Sequence, residues 1–70
     1  SYSEAKRNVD RNIVAYIDNN CRELLQSKIS TYANNGYLSG DYTETVAECF
    51  SVKSSNSLAN DIIALIEKMR

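Results

Sequence analysis

Every fourth residue from Ala5 to Ala33 is small or apolar, giving a ridge of Ala5, Val9, Ile13, Ile17, Cys21, Leu25, Ile29 and Ala33. Each step of four overshoots a helical turn by about 40°, so on one straight helix the ridge winds roughly 280° around the axis. A flat partner cannot cover a stripe that turns so far. Either the helix breaks partway, or several surfaces must cover it, among them the chain's own C-terminal part and a second copy of the chain.

Seventy residues make one small domain over positions 1–70, near the lower limit of what a single core can stabilise. Some further contribution is therefore expected: a disulfide, a metal, very regular helix packing, or association with another chain. Metal is the weakest of these, because the chain has no histidine and only two cysteines, Cys21 and Cys49, so the usual zinc ligand sets cannot be assembled within it. Cys21 lies on the ridge and Cys49 sits beside Phe50 in a second apolar run. Both read as buried free thiols, since secreted domains of this size usually carry more bridges; a reducing compartment follows, most simply the cytoplasm.

Eight basic and nine acidic residues leave a net charge of −1, which gives no whole-molecule field to attract nucleic acid or an anionic membrane. No apolar run is long enough for a transmembrane helix or a signal peptide. The chain opens at Ser1, with its one methionine at Met69, so the expectation is either a removed initiator methionine or a piece of something longer.

With no proline to force a kink, punctuation falls to Gly36 and Gly40. Ser1 with Glu4 has the form of a capping box, and Glu4 with Arg7, Lys6 with Asp10, and Asp18 with Arg22 are supporting pairs one turn apart. Asp18-Asn19-Asn20 is the weakest helical stretch, but Ile17, Cys21, Leu24 and Leu25 carry the apolar face across it. The spacing thus predicts one long helix 1 over about residues 3–34, closed by Asn34-Asn35-Gly36. Asp41 with Glu44 is a second capping box, opening helix 2 over about 42–51. Ser51 to Ser57 reads as a polar connection. Helix 3, over about 57–69, carries Leu58, Ile62, Leu65, Ile66 and Met69 on one face and folds back on helix 1. The expected fold is a small all-α, three-helix bundle whose first helix outruns its cover.

Catalytic constellations are missing from this pattern. Glu44 and Glu48 lie four apart, a spacing that can pair carboxylates, but no histidine, third ligand or glycine-rich phosphate cradle completes a site. Cys21 lacks a neighbouring base. No cofactor, metal or enzymatic activity is expected. Tyr32, Tyr37 and Tyr42, with Asn35, flank the predicted turn, and tyrosine gives large contact area at small entropic cost, so this corner is the candidate partner-binding surface. The alternative is that the rings plug the corner between helices 1 and 2.

The sequence therefore points to a non-enzymatic protein-binding module, a small regulatory, inhibitory or adaptor protein acting stoichiometrically. A homo-oligomer is its expected first partner, held through the ridge residues Val9, Ile13, Ile17, Cys21 and Leu25. A second reading is a DNA-binding or transcription-modulating protein using a degenerate helix-turn-helix over 43–63. Against it stand a long polar connection and a would-be recognition helix that offers Asn56, Asn60 and Asp61 without an early arginine.

Overall fold

Ser1 caps the first helix as its spacing to Glu4 predicts, its hydroxyl accepting the Glu4 N–H at 3.3 Å. A computed structural model describes residues 1–69, and α1 runs over Tyr2–Asn20; of its three expected pairs Lys6–Asp10 forms an ion pair at 2.8 Å, while Glu4 with Arg7 and Asp18 with Arg22 do not. The next four residues leave the α-helical path. Cys21 takes φ −151° and ψ 20°, Arg22–Leu24 form a single 3-10 turn, and only then does α2 begin, at Leu25–Lys28. Ser30 is fully extended, with φ −172° and ψ 164°, and α3 follows over Thr31–Ser39.

The continuous helix expected over 3–34 is therefore three helices, and the physical reason lies on both sides of the first break. Asp18-Asn19-Asn20 places three poor helix formers just before it, and Asn20 returns its amide to the Tyr16 carbonyl at 3.0 Å, as Asn12 does to Asn8 within the unbroken part of α1. Breaking there also solves the winding problem of the ridge. Each short segment is re-aimed, and Ile13, Ile17, Cys21 and Leu25, over which the ridge drifts by only about 120°, all point into one core.

The expected stop at Asn34-Asn35-Gly36 is likewise corrected, because these residues lie inside α3. Gly40, at φ 83°, is the left-handed residue that ends it, its N–H reaching the Gly36 carbonyl. Gly36 serves close packing instead. A Cβ built there would lie 2.7 Å from the Asp41 carbonyl oxygen and 2.8 Å from Thr45 Oγ1.

Asp41 caps α4, Tyr42–Val52, by accepting the Glu44 N–H at 3.4 Å, in agreement with the second capping box. Lys53–Ser55 form another 3-10 turn, and Asn56 caps α5, Ser57–Lys68, through Ala59 N–H at 3.0 Å. Among the described residues the chain has five α-helices and no strand, so it is an all-α domain.

α3 packs chiefly on α4, α4 on α5, and α5 on α1. Asn56 donates to the Lys28 carbonyl at one end of α5, and Met69 Sδ accepts from Asn12 at the other, so α5 runs back along α1. The core joins the four ridge residues to Cys49 of α4 and to Ala59, Ile62 and Ile63 of α5. Thr45 is the one buried polar residue of the described chain, and its hydroxyl donates to the Ala33 carbonyl at 2.9 Å.

The burial of the ridge changes what it can do. Ile13, Ile17 and Leu25 are completely inaccessible and Cys21 nearly so, all within one protomer, and Val9 is half-buried against the same core. What remains exposed is the beginning of α1, Tyr2 to Asn8. The expected ridge interface is thus the interior of the fold, because two backbone breaks let the chain cover its own seam.

Candidate protein-binding surface

α3 is the product of those breaks, and it is chemically unlike its neighbours. Of the described helices it alone contains no Asp, Glu, Lys or Arg. Ala33, Gly36 and Tyr37 turn inward or half inward, which leaves Thr31, Tyr32, Asn35, Leu38 and Ser39 facing out. Tyr32 is 66 % exposed and Leu38 is 69 % exposed, large values for side chains of this size in a small domain. Beside this face an open groove of about 650 Å³ separates α3 from the 3-10 turn and α2, lined by Arg22, Glu23, Gln26, Thr31, Asn34 and Leu38. Asn34 spans it, donating its side-chain amide to Gln26 Oε1 at 3.3 Å.

Of the four residues singled out in the sequence, the structure brings Tyr32 and Asn35 together on this face. Tyr37 and Tyr42 are half-buried elsewhere. Tyr37 packs its ring against the core and donates its hydroxyl to Asp18, a bond that raises the phenol above its ordinary range while Arg22 opposes the shift. Its task is to tie α3 to the end of α1. Tyr42 sits in the first turn of α4. Leu38 is the residue that sequence reasoning passed over. Its spacing of three from Asn35 and seven from Thr31 would have marked the face, had the helix not been expected to stop at Gly36.

The remaining candidate groups are accounted for by packing. Glu48 accepts the Ser30 hydroxyl at 2.7 Å, and the same Ser30 oxygen caps α3 by accepting the Ala33 N–H at 2.9 Å. Among the described residues there is no group of three or more His, Cys, Asp or Glu side chains that could hold a metal ion.

Cys21 and Cys49 are free and buried. Burial pushes the Cys21 thiol up, and burial followed by the nearby Cys21 and Glu48 charges pushes Cys49 up to about 11. A thiol that keeps its proton longer when folded than when unfolded adds stability that is complete below the ordinary value and fades above it. Urea midpoints should therefore fall as pH rises from about 9 towards about 11, and Cys49→Ala should remove part of that slope. An unchanged slope in the variant would show that other groups carry it.

The stretch 43–63 covers most of α4 and the first half of α5, joined by the four residues Lys53–Asn56, a shorter connection than the sequence suggested. Asn60, Asp61, Ala64, Glu67 and Lys68 are exposed on α5, so a phosphate backbone laid against it would meet two carboxylates and a single ammonium. No helix among the described residues is long and apolar enough to cross a membrane.

The chain matches no protein-family model, no curated protein and no solved structure at a significant level.

Proposed function

We propose that this chain is a non-enzymatic protein-binding module, a small regulatory, inhibitory or adaptor protein that acts stoichiometrically through the outward face of α3. One observation carries the reading: a surface helix without a single charge presents Tyr32 and Leu38, both about two-thirds exposed, in a chain of which 24 % is charged. Interface centres are depleted of charge and enriched in tyrosine, whereas solvent-facing helices ordinarily carry charged residues on that side. The flanking groove adds amide and hydroxyl groups that can form hydrogen bonds at the rim. Two buried free thiols favour a reducing compartment, the cytoplasm, as the place where it works.

The test is site-specific photo-crosslinking in cells of the source organism. A benzophenone amino acid at Asn35 should give discrete protein adducts, and the same group at the exposed Ala64 of α5 should not. Absence of adducts at Asn35, or the same adducts from both positions, would remove α3 as the binding face.

A further inference from the structure

We infer that Asn35-Gly36 is a self-modification site, a succinimide-forming pair that docked α3 holds unreactive and that converts, irreversibly, any chain in which α3 has come away from α4. The inference is independent of what α3 binds.

The chemistry comes from the residue pair. The Gly36 backbone nitrogen attacks the Asn35 side-chain carbonyl carbon and loses its proton to solvent; the new C–N bond closes a cyclic imide, and the side-chain nitrogen leaves as ammonia. Water then opens the imide at either carbonyl, giving aspartate or isoaspartate. A side chain on the following residue hinders the ring, and glycine has none. Of the asparagines in this chain only Asn35 precedes a glycine. Its side chain is exposed and makes no hydrogen bond among the described residues, whereas the Asn56 amide, which precedes Ser57, is committed at both ends, to the Lys28 carbonyl and to the Ala59 N–H.

The fold decides whether the pair reacts. Both residues lie inside α3, where ψ stays near the helical value of about −42° and each N–H is turned to the carbonyl four residues earlier. Ring closure needs the Gly36 nitrogen swung round to the side chain instead. Gly36 has no room for that movement, since it is packed too closely on Asp41 and Thr45 to admit even a methyl group, and its own carbonyl receives the N–H groups of Gly40 and Asp41. The reaction waits until α3 undocks.

Undocking does not require the whole domain to unfold. The buried apolar cluster is built from Ile13, Ile17, Cys21, Leu25, Cys49 and the α5 residues, and α3 adds to it only the partly buried Tyr37. Thr31, Tyr32, Asn34, Asn35 and Gly36 are poor helix formers, so α3 owes its form to its ties with Glu48, Thr45 and Asp18. Such a segment opens while the core stays closed.

The two products then part. Aspartate at position 35 keeps the backbone and adds an exposed carboxylate, so that chain docks α3 again. Isoaspartate routes the backbone through the side chain and lengthens it by a methylene directly before Gly36, and the close fit on α4 is not remade.

The test incubates the purified chain at mildly alkaline pH in native buffer, in urea too dilute to change the circular dichroism, and in concentrated urea, with peptide mass spectrometry following each asparagine. In concentrated urea Asn35 should react first. In native buffer its loss should be slower by about tenfold or more, and dilute urea should scarcely alter that rate, because opening α3 exposes little surface. Once urea is removed, the aspartate product should recover the parent's melting curve and the isoaspartate product, identified by isoaspartyl methyltransferase labelling, should melt lower. Equal rates in native buffer and concentrated urea, a different asparagine reacting first, a native rate that climbs steeply in dilute urea, or an isoaspartate chain with the parent's melting curve would each overturn the proposal.

Discussion

Replacing Ile17 with aspartate should abolish the fold. Ile17 is completely inaccessible in the last turns of α1, where the core of Ile13, Cys21, Leu25 and the α5 isoleucines closes around it. Removing a buried isoleucine side chain costs about 2–5 kcal/mol before any charge is considered. An unpaired carboxylate in the same space adds several more, since it must either stay ionised away from water or take up a proton at a cost. A chain of this length has about 3–10 kcal/mol of stability in total. The helical signal at 222 nm should therefore collapse at neutral pH, and amide resonances should lose their dispersion. Ile17→Val, costing about 1 kcal/mol, should stay folded and serve as the control. The ridge read as an interface makes the opposite forecast for Ile17→Asp: a folded monomer. That result would put Ile17 between copies and not inside one.

Gly36→Ala should destabilise the domain although alanine is the better helix former. On propensity alone the change favours the helix by about 1 kcal/mol. The new methyl group, however, would sit 2.7 Å from the Asp41 carbonyl oxygen, 2.8 Å from Thr45 Oγ1 and 3.1 Å from Glu44 Cβ. None of these can withdraw cheaply. Asp41 is held by its N–H, which donates to the Gly36 carbonyl at 2.8 Å, and Thr45 Oγ1 is committed to Ala33. Overpacking of this kind costs about 1–3 kcal/mol and more where backbone must move, so a net loss of about 1–2 kcal/mol is expected. In a domain this small that lowers the melting temperature by about 5–15 °C. Thermal and urea melts followed by circular dichroism would show it. A rise in stability would mean that α3 and α4 can slide apart without penalty, and that the glycine is there for another reason.

The parts of the fold that could be read in advance are those fixed by bonds between near neighbours. Ser1 with Glu4, Asp41 with Glu44, and the apolar face of α5 each declare themselves within a turn or two, and each stands within a residue or two of its expected place. The breaks at Cys21 and Ser30 could not be read so. The fourfold spacing of Cys21, Leu25, Ile29 and Ala33 runs on unchanged through a 3-10 turn and an extended residue, because a period records which residues face the core, not whether the backbone between them is one helix. Gly36 misled in the other direction. Its neighbours have turn chemistry, but the contact with Asp41 and Thr45 decided the matter, and that contact is made by residues further along the chain.

The candidate face shows the same division. Tyrosine and asparagine content drew attention to Tyr32, Asn35, Tyr37 and Tyr42; the structure leaves Tyr32 and Asn35 exposed on α3, while Tyr37 is turned inward by a helix that was not expected to continue. Leu38 became visible only once that helix was in place.

The uncharged face of α3 is fastened from behind along its length. Ser30 grips Glu48 at its start, the Ala33 carbonyl receives Thr45 near the middle, and the Tyr37 hydroxyl anchors to Asp18 towards its end. A visitor to that surface meets a preorganised platform, and the loss of freedom that usually taxes recognition has already occurred during folding, so even a small footprint can hold.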